Sequence, residues 1–157
     1  MLLLCFIATI VCDRENFPQF STLCRLLTST GLISELGTES DDFTLFAPIN
    51  DGFDEIDDIL DDLDEEEVSN LLLYHLFVEG AQFIGELRCG EDLIMANGDD
   101  STTLCSNGVT PDFQLGPGNP PPPPPALGIP AFKTTDIGAC NGVVHGLSHV
   151  MLPGDEA

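Results

Sequence analysis

Apolar residues recur at helical intervals through the first half of the chain and at the tighter spacing of short strands through the second. Phe20, Leu23, Cys24 and Leu27 fall at offsets 0, 3, 4 and 7, which predicts a helix over 17–29 that stops at Gly31. A further short helical turn is expected over 32–36, then a polar loop over 37–42. Residues 44–47 are β-prone and mostly apolar, the pattern of a fully buried strand. Pro48 has no amide for a ladder, so the strand should end there. Asn50 or Asp51 is then placed to accept from the first amides of a new helix. That helical region covers 51–63, with Phe53, Ile56, Leu60 and Leu63 on one face and Asp54, Glu55, Asp57, Asp58, Asp61 and Asp62 on the other.

Asp64 followed three residues later by Glu67 has the form of a capping box, with acids at the positive end of the helix dipole. Val68, Leu71, Leu72, His75 and Leu76 continue as one stripe, predicting a helix that runs to Gly80 with His75 on its apolar face. The expected role of His75 is therefore a neutral ring bonded to a backbone carbonyl or a polar neighbour. Strands are predicted over 82–88, 93–96, 101–105, 109–115, 131–137 and 143–152. Asn97-Gly98-Asp99-Asp100 and Asn107-Gly108 provide hairpin turns, and Asn141-Gly142 another. Residues 116–130 hold six consecutive prolines, Pro120 to Pro125, which a sheet cannot admit. They read as a semi-rigid surface insertion; docking into a partner's aromatic groove is the functional alternative.

At 157 residues and 43% hydrophobic content the chain suits one packed domain. The apolar segment 1–11 is too short to span a membrane, which takes ~20 residues. It lacks the basic start and small-residue cleavage site of a secretory signal. The expected division is 1–7 as the remnant of a signal peptide, 8–153 as the domain and 154–157 as a tail, with the true precursor beginning upstream.

Charge narrows the partners. Asp and Glu number 27 against four basic residues, Arg14, Arg25, Arg88 and Lys133, for a formal charge of −23. No basic patch exists to contact phosphates, which excludes nucleic acid and direct binding to an anionic membrane. Cationic, calcium-bridged or neutral partners remain, and acidity by itself also keeps a protein soluble. The carboxylate run at 51–67 does not have the glycine and spacing of an EF-hand loop, so a solvated helix face is the plainer reading.

Six cysteines favour an oxidising compartment, and none is spaced Cys-x-x-Cys, so no metal or other cofactor is expected. Cys89 and Cys105 flank the 93–104 hairpin and are the first choice for a disulfide; Cys12 with Cys24 is the second. No N-glycosylation sequon occurs. A hydrolase reading has His75, His145 and His149 as bases, but there is no Gly-x-Ser-x-Gly elbow, and Ser148 beside His149 has no nucleophile context. An enzyme is not expected.

Three separated blocks share one pattern: TLFAPINDGF (44–53), LLLYH (71–75) and NGVVHGLSHVMLP (141–153). In order and spacing they resemble a fasciclin domain, over nearly the whole of 8–153. The resemblance implies an α+β fold, a wedge or sandwich of about seven strands with several packed helices. It gives Thr44, Phe46, Ala47, Pro48, Asn50, Asp51, Phe53, Asn141, Gly142, His145, Leu152 and Pro153 structural roles. Tyr74 and His75 match the Tyr-His pair proposed as an integrin contact in some animal members. Such domains belong to secreted or cell-surface adhesion and matrix proteins, periostin and plant arabinogalactan proteins among them, and the resemblance implies a non-catalytic module binding a matrix or surface protein or glycan. The alternative is an acidic wall or matrix protein that binds divalent cations or polycations. Ile49, Gly52, Gly146 and Ser148 depart from the family pattern, and Gly52 in place of Ala should loosen its helix by ~1 kcal/mol. The cysteine contexts resemble those of acidic algal fasciclin proteins.

Overall fold

The computed structural model describes residues 6–37, 42–105, 107–119 and 129–153. The polyproline run, most of the 37–42 loop, the first five residues and the 154–157 tail lie outside the described residues, as do the expectations attached to them. Five helices and seven strands in two sheets make up the described chain, an α+β fold.

Helices come first. A short α1 (Ile7–Val11) leads through a 3-10 turn, Pro18–Phe20, into α2 (Ser21–Thr30). Gly31 ends α2 in the left-handed region at φ 82°, as the sequence predicts, and a second 3-10 segment, Leu32–Gly37, follows. Phe6 and Ile7 are buried, so the packed chain includes two residues ahead of Ala8. A disulfide joins Cys12 to Cys24 and fastens α1 to α2.

The central strand is β1 (Phe43–Pro48), buried at every position. It pairs in parallel with β7 (Gly142–Leu147), also wholly buried, from Phe43↔Gly142 to Pro48↔Leu147. Its other edge takes β2 (Leu76–Phe77) in antiparallel register, and β6 (Phe132–Ala139) closes the four-stranded sheet beyond β7. A strand covered on both faces cannot alternate apolar with polar, which is why 44–47 is a continuous apolar and β-branched run. Gly142 is obligatory: at φ 145° a Cβ would lie 1.9 Å from the Phe43 carbonyl oxygen.

The acidic stretch forms two short helices, α3 (Asn50–Glu55) and α4 (Asp57–Asp61), broken at Ile56. α5 (Glu65–Leu73) begins with the predicted capping box: Glu67 N donates to Asp64 Oδ1 at 2.8 Å and Asp64 N to Glu67 Oε1 at 3.0 Å. The helix stops at Leu73 rather than Gly80, because Leu76 and Phe77 are taken into the sheet as β2. The predicted strand at 82–88 is also absent; the segment is irregular apart from one 3-10 turn, Ile84–Glu86. Its first three amides are satisfied by side chains instead, Gln82 N by Thr44 Oγ1, Phe83 N by Glu86 Oε1 and Ile84 N by Asp136 Oδ1.

The second sheet is the antiparallel set β3 (Asp92–Ile94), β4 (Asp100–Leu104) and β5 (Phe113–Leu115). Asn97 to Asp99 turn between the first two with Gly98 at φ 94°, and the predicted Cys89–Cys105 disulfide ties the hairpin's open end. β5 starts four residues later than the sequence pattern suggests. One core lies under the helices, around Phe20, Leu23, Leu27, Leu45, Phe53 and Leu72. A second lies between the sheets, around Phe46, Tyr74, Phe77, Met95, Leu147 and Met151.

Candidate functional site

Thr44, Asn50 and Asn141, polar side chains that the sequence singles out near β1 and β7, each bond to a distant stretch of backbone. Thr44 Oγ1 donates to Gly80 O at 2.8 Å and accepts from Gln82 N at 2.7 Å. Asn141 Oδ1 accepts from Ile7 N at 3.0 Å while Nδ2 donates to Leu36 O at 2.8 Å, so one side chain holds α1 and the second 3-10 segment. Asn50 does not cap its own helix, whose N-cap Ile49 has no side-chain bond. Its Oδ1 accepts from Thr22 N at 2.9 Å and its Nδ2 donates to Pro18 O at 3.1 Å, capping the start of α2 across space. Asp51 is exposed on α3, and Pro48 is the last residue of the β1–β7 ladder. Phe46, Ala47 and Phe53 are buried; Leu152 and Pro153 are half-buried, and Leu152 N donates to Asn119 Oδ1 at 2.9 Å.

The two motif histidines are bridges. His75 Nδ1 donates to Leu71 O at 2.8 Å, and Nε2 accepts from Met151 N at 2.9 Å, so the ring joins the end of α5 to the chain leaving β7. Complete burial holds its pKa down to about 4 against the backbone bond, and the ring is neutral. His145 accepts from Asp136 N at Nδ1, 3.1 Å, and donates from Nε2 to Gln82 O at 2.8 Å. It lies between Phe46 and Phe132 with ring centroids 5.8 Å away on each side, and burial lowers its pKa too. Tyr74 is buried beside His75 and donates its hydroxyl to Asp100 O. Burial, followed by the nearby Asp99, Asp100 and Asp92, pushes that phenol well above its ordinary value. Tyr74 and His75 are thus both buried, and neither ring lies at the surface of this structure.

Ser148 and His149 do form a short polar line that the sequence did not assemble. Ser148 Oγ lies 2.8 Å from His149 Nδ1, and His149 Nε2 lies 3.7 Å from Glu55 Oε1. The hydroxyl oxygen already accepts from Ala131 N at 3.0 Å and can donate to Ile129 O at 3.3 Å. It rivets the entry of β6 to the exit of β7. Gly52 lies against the same stretch: a Cβ there would sit 2.8 Å from Ser148 O and 2.9 Å from His149 Cα. Glycine at 52 is what lets α3 approach the backbone leaving β7 this closely.

Sequence reasoning missed three further groups. Asp136 holds φ 59° at a bulge in β6 while its carboxylate accepts from Ile84 N at 2.7 Å. Asn119 Oδ1 serves both Gly116 N and Leu152 N, and Asn119 Nδ2 donates to Val150 O. Buried Thr103, Gln114 and Ser101 form a chain of hydrogen bonds on the inner face of the second sheet. Only the Pro-Gly-Asn sequence ahead of the polyproline run hinted at the turn that Asn119 organises.

Eleven carboxylates between Asp51 and Glu67 are all exposed on α3–α5. Among the described residues no His, Cys, Asp or Glu side chains converge as a metal cage, and no helix is long and apolar enough to cross a membrane.

The fasciclin domain profile matches residues 18–153. Mouse stabilin-1 is 30% identical over 152 residues; the match covers 94% of this chain and 5% of stabilin-1. A solved pair of FAS1 domains from the insect cell adhesion molecule fasciclin I superposes with a TM-score of 0.68 at 12% identity, covering 91% of this chain and 50% of that one. This chain thus spans a small part of the mouse relative and half of the insect pair, as one domain of such proteins would. With the family profile matched across most of its length, the chain belongs to the fasciclin domain family, a family of cell-adhesion modules.

Proposed function

We propose that this domain is a non-catalytic, extracellular module that binds a matrix or cell-surface protein or glycan. The observation that carries the reading is where the motif's polar groups go: Thr44, Asn50, His75, Asn141 and His145 each bond backbone from remote segments. Their chemistry is used in holding the fold, and recognition falls to the surface. The Cys12–Cys24 and Cys89–Cys105 disulfides fit an oxidising compartment, which supports export. Beads coated with the native domain should retain cells or matrix-coated particles, whereas beads coated with reduced and alkylated domain should not. Equal retention by both would defeat the reading. Labelling of Ser148 by a fluorophosphonate probe would overturn its non-catalytic part.

The exposed carboxylates of α3–α5 favour a second reading, a module whose acidic face is screened by calcium or polycations in a wall or matrix. Calorimetry with calcium tests it: no heat, together with unchanged melting in millimolar calcium, rules it out.

A further inference from the structure

Alternation along β3, β4 and β5 turns Asp92, Ile94, Asp100, Thr102, Leu104, Phe113 and Leu115 to the outer face of the second sheet, with Leu93, Ser101, Thr103 and Gln114 facing the core. Ile94 on that face is 57% exposed. A cleft of about 600 Å³ opens there, lined by Asp92, Asp100 and Thr102 together with Leu104, Leu115 and Pro117, with Gly116 and Asn119 completing the lining. Asp92 is oriented by Thr102, whose Oγ1 donates to Asp92 Oδ1 at 2.6 Å. Neither Asp92 nor Asp100 meets a lysine or arginine among the described residues, and none of the four basic side chains lines the cleft.

We propose that this cleft receives an arginine side chain from a protein partner, which names the partner chemistry for the adhesion reading above and rests on it. Two carboxylates and three apolar side chains lining one cleft match a guanidinium on an aliphatic stem. The stem covers Leu104, Leu115 and Pro117 while the planar head donates to both acids. A lone surface carboxylate selects no side chain; charge and apolar surface in one lining are what favour a long basic residue. The formal charge of −23 draws cationic surfaces toward the whole molecule and speeds encounter, and the cleft decides where the arginine lodges.

The test is an amide NMR titration of the disulfide-intact domain with acetyl-Leu-Arg-Leu-amide, beside acetyl-Leu-Gln-Leu-amide. Saturable shifts should appear over 92–104 and 115–119 with the arginine peptide alone, and weaken with salt. The double variant Asp92→Asn, Asp100→Asn keeps the shape and the Thr102 hydrogen bond, and should bind about tenfold more weakly, the loss of two exposed ion pairs. Asp57→Asn with Asp58→Asn, on the acidic helix, should leave binding unchanged. Shifts centred on 51–67, equal response to both peptides, or unaltered affinity in the Asp92/Asp100 variant would each overturn the proposal. On coated beads, adhesion that survives the Asp92/Asp100 variant removes this cleft from the account and leaves the adhesion reading standing; wild-type beads that retain nothing defeat the adhesion reading instead.

Discussion

Acid should loosen this fold through His75, and the size of the effect follows from its surroundings. The neutral ring donates to Leu71 O and accepts from Met151 N; a second ring proton would point a donor at that amide and leave a charge inside the core. Its folded pKa of about 4 lies below the ordinary 6.5 that the unfolded chain restores. The unfolded state therefore takes up the proton first as pH falls. The stabilisation is whole above pH 6.5, declines between 6.5 and 4, and is gone below. A gap of that width corresponds to about 3 kcal/mol, with no discount for solvent because the ring is 1% exposed. The 27 carboxylates also titrate toward the acid end, so total stability is the wrong observable. Urea unfolding of the wild type and His75→Gln at several pH values cancels them, since both proteins carry the same acids. The wild-type advantage should shrink by about 3 kcal/mol between pH 7.5 and 4. A constant advantage would falsify the argument, as would a His75 ring that titrates at 6.5 or above by NMR in the folded protein.

Three other measurements probe the packing. Gly52→Ala gains ~1 kcal/mol of helix propensity but drives a methyl group into the backbone of Ser148 and His149, where overpacking costs ~1–3 kcal/mol, so the urea midpoint should fall; a rise would contradict the contact geometry. Tyr74 is the only tyrosine and there is no tryptophan, so an ultraviolet titration reads this phenol alone: ionisation should begin well above the ordinary tyrosine value and coincide with unfolding, and a reversible transition near pH 10 in the folded state would show it to be wet. Cys89→Ala with Cys105→Ala opens a loop of sequence separation 16 and should cost about 3 kcal/mol in chemical denaturation; an unchanged midpoint would mean that the hairpin holds itself.

Local rules were readable wherever the physics was local. The Asp64–Glu67 capping box, the Gly31 stop and the Asn97–Asp99 turn each depend on a few neighbouring residues, and each stands where the pattern put it. The Cys89–Cys105 bridge followed from the hairpin between them. β2 stayed hidden because Leu76 continues the apolar stripe of α5, so helical and extended readings satisfy the same pattern; the choice was made by pairing with Thr44 and Leu45. Residues 82–88 looked like a strand because the acceptors for their amides, Thr44 and Asp136, lie about 40 and 50 positions away. Asn50 failed in the same manner: its cap is real, but the helix it caps is α2. The family blocks were legible as sequence, whereas the cleft on the second sheet depended on a cross-strand register that no single segment encodes.

The parallel pairing of β1 with β7 also sets an order of events. Its partners lie about a hundred residues apart, and Asn141, just ahead of β7, holds α1 from still farther off. The β7 edge of β1 cannot be completed until the last strand is made. The Cys12–Cys24 and Cys89–Cys105 disulfides close over short separations of 12 and 16 residues and can form without it. High contact order of this kind slows folding. During synthesis the helices and the small hairpin can therefore be locked covalently while β1 still has an open edge. Arrival of the Asn141–Leu147 stretch is then the step that converts two stapled pieces into one cooperative unit, and chains truncated before it should be the aggregation-prone ones.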